Sequence, residues 1–105
     1  MNKIALLNDA FRTTFSGGKV MMTSGVNELP DCVKAEALAQ VAKFSEFTAD
    51  NDPYSEHDFG SFELVGRKFF WKIDYYDRDL MFGSDDPADP EKTTRVLTIM
   101  LASEY

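Results

Sequence analysis

The stretch DNDPYSEHDFG, residues 50–60, gathers the side chains best suited to chemistry. His57, the single histidine of the chain, stands between Glu56 and Asp58, with Asp50 and Asp52 shortly before it. An imidazole beside a carboxylate is the minimum equipment for general acid–base catalysis, and Asp58, Glu56 or a more distant Asp74 are the candidates to orient His57. The same residues suggest a cation: Asp50, Asp52, Glu56 and His57 offer oxygen and nitrogen donors. The spacing of Asp50 and Asp52 matches the first two ligands of a calcium-binding loop. That pattern then fails, because the following ligand position is Tyr54, the obligatory glycine is Ser55, and the closing glutamate is Ser61. One histidine without clustered cysteines is a poor zinc inventory. Against both readings stands turn chemistry, in which Asp and Asn side chains bond to nearby backbone and Pro53 fixes a bend. This structural or docking role outweighs a metal site, and no cofactor is expected.

Other catalytic equipment is sparse. Cys32 is the single cysteine, so no internal disulfide can form, and a lone Cys is most often a small buried apolar residue. No glycine-rich phosphate loop, nucleophile elbow or paired-cysteine site occurs. The apolar stretch of MNKIALLNDAFRTTF is interrupted by Asn8, Asp9 and Arg12 before a signal core could form, and no run approaches a membrane span. The expectation is a cytoplasmic protein without membrane contact.

The elements that must position these residues are readable in outline. The 105 residues, 44% of them hydrophobic, suit one globular domain spanning 1–105. Ile4, Leu7, Phe11 and Phe15 predict a helix over 2–15, stopped by Ser16-Gly17-Gly18. KVMMTSGV, 19–26, reads as a strand. Pro30 opens a helix to about Phe47, with Val33, Ala37, Val41 and Phe44 on its buried face. Residues 58–76 form a hairpin about Gly66-Arg67. Its second strand turns Phe69, Trp71, Ile73 and Tyr75 inward and Phe70, Lys72, Asp74 and Tyr76 outward. A polar connection, 77–90, ends in Asp89-Pro90, read as a helix cap. Val96, Leu97, Met100 and Leu101 then mark a last helix, with a strand over the same residues as the alternative, since Val, Thr and Ile favour strands. The sum is an α+β fold in the order α-β-α-β-β-α. A small antiparallel sheet, the hairpin plus one further strand, packs against about three helices.

Charge is unevenly spread. The formal net charge is −7, yet residues 46–91 carry 13 of the 18 acids and four of the 11 bases, a net of −9, between nearly neutral flanks. Direct nucleic-acid binding needs a basic footprint and is disfavoured. An acidic surface suits a basic protein partner or simple solubility. Asp79, Asp85 and Asp86 in the connection, and the outward strand residues Phe70, Lys72, Asp74 and Tyr76, are the candidate contacts, since aromatics beside charges are common at protein interfaces.

Four collinear segments, NDAFRTTFSGGKVMMTSGV, DNDPYSEHDFG, WKIDYYD and DPADPEKTTRVLTIMLASEY, resemble a family of short bacterial proteins classified only as a domain of unknown function. The resemblance covers nearly the whole chain. It implies a setting on plasmids and other mobile elements, with accessory roles such as regulation or counter-defence, and transfers no activity or site residue. Two functions are therefore weighed. One is a non-enzymatic acidic binding or regulatory protein whose protein partner is a DNA-processing or defence enzyme with a basic groove, inhibited in the manner of a DNA mimic. The other is a small metal-assisted hydrolase or nuclease using His57 and nearby carboxylates.

Overall fold

Helix α1, Lys3–Thr14, begins where the Asn2 side chain accepts a hydrogen bond from the Ile4 amide and ends at Phe15 in the left-handed region. The computed structural model describes residues 2–105. Strand β1, Gly18–Met22, follows, then a single-turn helix α2, Ser24–Asn27, and helix α3, Asp31–Lys43. Strands β2, Phe59–Leu64, and β3, Arg67–Tyr76, form the expected hairpin. Strand β4, Thr94–Leu101, runs into a short 3₁₀ turn, Ala102–Glu104. The four strands lie in the order β1-β4-β3-β2, with β1 parallel to β4 and the other pairs antiparallel. The protein is thus α+β, with helices on one face of the sheet. No helix among the described residues is long and apolar enough to cross a membrane.

Several expectations need correction. Residues 94–101 are a strand, not the last helix, and it is central, flanked by β1 and β3. Leu97, Ile99 and Leu101 face the helices while Val96 and Met100 are buried on the opposite face. A strand buried on both faces shows an unbroken apolar run, which mimics a helical stripe. The sheet is therefore mixed and four-stranded, not a three-stranded antiparallel one. Asp89 caps no helix; its carboxylate accepts from the Glu91 amide at 2.9 Å within a series of turns. The strand expected over 19–26 ends at Met22 and gives way to α2. The second long helix stops at Lys43, short of Phe47, so Phe44 and Phe47 leave the helix and fold under the sheet.

The hairpin turn falls one residue earlier than expected. Leu64 pairs with Arg67, so Val65 and Gly66, with φ of 49° and 73°, make the two-residue turn. Packing decides this register. Gly60 lies opposite Trp71, where a Cβ would come within 2.4 Å of the indole nitrogen, and Phe62 stacks on Phe69 at 5.1 Å. The faces of β3 fall as expected: Phe69, Trp71 and Ile73 are buried under the helices. Trp71 meets Phe44 edge-on at 5.5 Å and Phe47 at 6.2 Å.

Candidate functional site

The 50–60 loop is built from side-chain-to-backbone bonds. Asn51 accepts from the Thr48 amide at 3.0 Å and donates to the Glu46 carbonyl at 3.0 Å. Asp52, buried, accepts from the Glu56 amide at 2.9 Å and the His57 amide at 3.2 Å. These bonds hold Ser55 and His57 in the left-handed region, both at φ 56°. Asp50, by contrast, is exposed.

The loop is fastened to α1. Nδ1 of His57 lies 3.0 Å from both carboxylate oxygens of Asp9, and Nε2 faces Asp52 at 3.8 Å. A carboxylate only accepts, so Nδ1 carries the proton in this contact. One face of the imidazole lies flat on Phe47, 4.0 Å between centroids and 1° between planes. Asp9 also pairs with Arg12 at 3.1 Å. The buried Arg12 reaches on to the carbonyls of Val41 at 2.7 Å and Ala42 at 3.2 Å, placing a cation at the carbonyl end of α3. Its guanidinium lies over the Phe47 and Trp71 rings. A continuous polar chain thus joins α3, α1 and the loop.

A second network lies beside it. The buried Asn8 donates to Tyr75 Oη at 2.8 Å and to the Glu56 carbonyl at 3.0 Å. Its oxygen accepts from Arg95 Nε at 2.7 Å, and Tyr75 donates to Glu56 Oε1 at 2.8 Å. Arg95 also bonds the Pro87 carbonyl, which ties the 77–90 connection to the core. Burial drives the Tyr75 phenol well above its ordinary pKa, keeping it a neutral donor. Burial also lowers the Arg95 pKa. Asp58 is raised above the usual carboxylate value, first by burial and then by the nearby charge of Glu56.

The sequence-derived candidates therefore separate. His57 and Asp52 come together, joined by Asp9. Glu56 turns to Tyr75, and Asp74 lies on the opposite face of the sheet, in an ion pair with Lys72 at 3.1 Å. Cys32 is exposed in the first turn of α3. Among the described residues no three carboxylate, imidazole or thiol groups converge to hold a metal ion. Asn8, Asp9, Arg12, Tyr75 and Arg95 were not anticipated as a unit. The signal was three polar residues, Asn8, Asp9 and Arg12, interrupting the apolar stretch of a helix, two of which, Asn8 and Arg12, prove to be buried.

The other face of the sheet carries none of the three α-helices. Phe70, Lys72, Asp74 and Tyr76 project from it, as the strand alternation predicted. Phe70 packs with Phe59 and Tyr105, each at 5.2 Å, so the chain's own aromatics cover it in part. Beside them a cavity of about 680 Å³ has Val96, Thr98 and Met100 in its floor and Lys19, Leu80 and Tyr105 on its walls. Beyond β3 the chain turns back as an arm. Tyr76 bridges Gly83, and Asp77 accepts from the amides of Asp79 and Met81 at 3.2 and 3.1 Å. Asp79, Asp85 and Asp86 are all exposed.

No curated protein and no solved structure matches the chain. A family model does match, over residues 22–104, which takes in β1's last residue, both later helices, the loop, the hairpin, the arm and β4. Over that span, the chain belongs to the family described as "Protein of unknown function (DUF3768)".

Proposed function

We propose that this protein is a non-enzymatic binding protein that presents an acidic surface to a basic protein partner. The observation that carries the reading is the segregation of charge: a net of −9 in residues 46–91, with Asp79, Asp85 and Asp86 exposed on one connection. Such a surface competes for grooves evolved to hold phosphates, and its association is steered by long-range attraction. The resemblance to proteins of mobile elements points to a nucleic-acid-acting enzyme, for processing or defence, as the partner class. The strand face of Phe70, Lys72, Asp74 and Tyr76 is a second contact candidate.

The hydrolase alternative draws on His57 and its carboxylates. Its support is limited by the geometry: Nδ1 is held by Asp9, Nε2 lies 3.8 Å from the buried Asp52, one ring face is covered by Phe47, and no third carboxylate joins Asp9 and Asp52 at the ring. The test is affinity capture from a bacterial lysate with the wild type and with Asp79→Lys/Asp85→Lys/Asp86→Lys. The expected result is a basic, nucleic-acid-binding protein retained by the wild type, released by salt and lost in the triple variant. Equal retention by both proteins, or retention of nothing basic, overturns the proposal.

A further inference from the structure

Among the described residues nine large hydrophobic ones are exposed, and six of them, Met21, Tyr76, Leu80, Met81, Phe82 and Tyr105, lie on the helix-free sheet face or the arm beside it. The other three are scattered: Leu6 on α1, Tyr54 in the 50–60 loop and Val65 at the hairpin turn. An apolar concentration of this kind marks a covered surface. The arm that carries half of it is rigidly built. Leu80 sits in the left-handed region at φ 60°, a conformation costly for a branched L-residue. It is held there by the Asp77 carboxylate on two amides, by Asp77 N–H to the Phe82 carbonyl at 2.8 Å and by Ser84 N–H to the Tyr75 carbonyl at 3.0 Å. Strain is thereby spent on displaying Met81 and Phe82, which are 73% and 71% exposed.

We infer that this face is the interface of a twofold dimer, in which the arm of each copy enters the sheet-face cavity of the other. Three features choose a second copy over other occupants. A small molecule in the cavity would leave Met81 and Phe82 in water, because they stand on the arm and not among the cavity's lining. Knob and hole are adjacent on one surface: Leu80 belongs to the arm and also walls the cavity, so a twofold axis beside it brings both arms to both cavities at once. The charges are mixed on both sides and can be matched. Lys19, which has no ion-pair partner among the described residues, and Glu104 wall the cavity, and the arm carries the exposed Arg78 and Asp79. Met81 and Phe82 would be the buried anchors, and the Lys19–Asp79 pairs would lie at the rim. The inference shares Asp79 and the Lys72–Tyr76 strand face with the acidic-surface reading, but its test, the mass of the chain alone, needs no basic partner and so fails or succeeds separately.

The test is the mass in solution of the full chain, by sedimentation equilibrium from about 1 µM to about 1 mM, a range that spans firm to weak association. The expected result is a species of twice the 11.9 kDa chain. Met81→Glu/Phe82→Glu, both exposed and so compatible with folding as checked by circular dichroism, is expected to weaken association at least about tenfold. Met21→Glu, on the cavity side, should do the same. Mixing those two variants should restore a mixed dimer, because one intact arm then meets one intact cavity. A single-chain mass throughout the range, wild-type association by the arm variant, or no mixed dimer would each overturn the proposal.

Discussion

Asp9 on the first helix holds Nδ1 of His57, 48 residues further on, at 3.0 Å from both carboxylate oxygens. The contact fixes a loop that has no regular secondary structure from Phe44 to Asp58. It does so with Asp9 already oriented by Arg12, and with the imidazole pressed on Phe47. His57→Leu keeps an apolar body against Phe47 and removes both carboxylate contacts. The expected loss is about 1–2 kcal/mol in urea unfolding, the scale of a partly buried, charge-assisted hydrogen bond. Hydrogen exchange at the Glu56 and His57 amides should accelerate, since their protection comes from Asp52 within the same loop. Unchanged exchange would show that Asp52 alone orders the loop.

Gly60 and Trp71 are cross-strand partners, and the indole occupies the space a Cβ would need, 2.4 Å from Nε1 and 2.7 Å from Cε2. Trp71 has little room to retreat, with Phe44 edge-on at 5.5 Å and Arg12 over its ring at 5.3 Å. Gly60→Ala is expected to cost about 1–3 kcal/mol by overpacking. Trp71→Ala, a large-to-small change in the core, should cost about 3–5 kcal/mol. Thermal unfolding followed by circular dichroism measures both. A Gly60→Ala protein that melts with the wild type would mean that the hairpin register differs from the one described.

Legibility in the sequence followed from how many faces of an element are buried. Strand β3 has one face under the helices and one open, so Phe69, Trp71 and Ile73 alternate with Phe70, Lys72 and Asp74 and the reading was direct. Strand β4 is buried on both faces, the alternation vanishes, and the apolar spacing passed for a helix. The loop's turn chemistry was legible from Asn51, Asp52 and Pro53 because those bonds are local. Its docking was not. Asn8, Asp9 and Arg12 read as interruptions in an apolar stretch, and no local rule pairs them with residues 29 to 87 positions away.

Asp58 gives one arm of the pH dependence. Its folded pKa is raised above the ordinary 3.8, chiefly by burial and then by Glu56. A carboxyl that binds its proton more tightly when folded costs stability once ionised. That cost is absent below the ordinary value and grows as pH rises through the interval up to the folded one. Asp58→Asn removes it. At neutral pH the variant should match or exceed the wild type by about 0.5 kcal/mol, a partly exposed charge effect, with the difference closing below the ordinary carboxylate range. Denaturant midpoints at several pH values supply the check, and a variant less stable at pH 7 would show that the Asp58 carboxylate makes a favourable contact outweighing its burial.

Glu104 shifts the other way. Its carboxylate accepts from the Thr23 hydroxyl at 2.6 Å, the Gly25 amide at 2.9 Å and the Leu101 amide at 2.9 Å, stitching the end of β4 to the turn after β1. The Thr23 bond, followed by the Leu101 amide, lowers its pKa below the ordinary 4.5. A lowered folded value contributes stability that is present above 4.5 and is lost as pH falls through the folded value. Glu104→Gln should therefore lower the melting temperature at pH 7 and approach the wild type in acid. Gly25 adds a steric handle on the same bond, since a Cβ there would come within 2.8 Å of the carboxylate carbon and both oxygens. Gly25→Ala should push the carboxylate off the Gly25 amide and move the Glu104 titration midpoint, read by NMR on its side-chain carboxyl, back toward the ordinary value. A wild-type midpoint already at that value would mean that these three bonds are not held in solution, and that the chain's last turn is not fastened to β1 through Glu104.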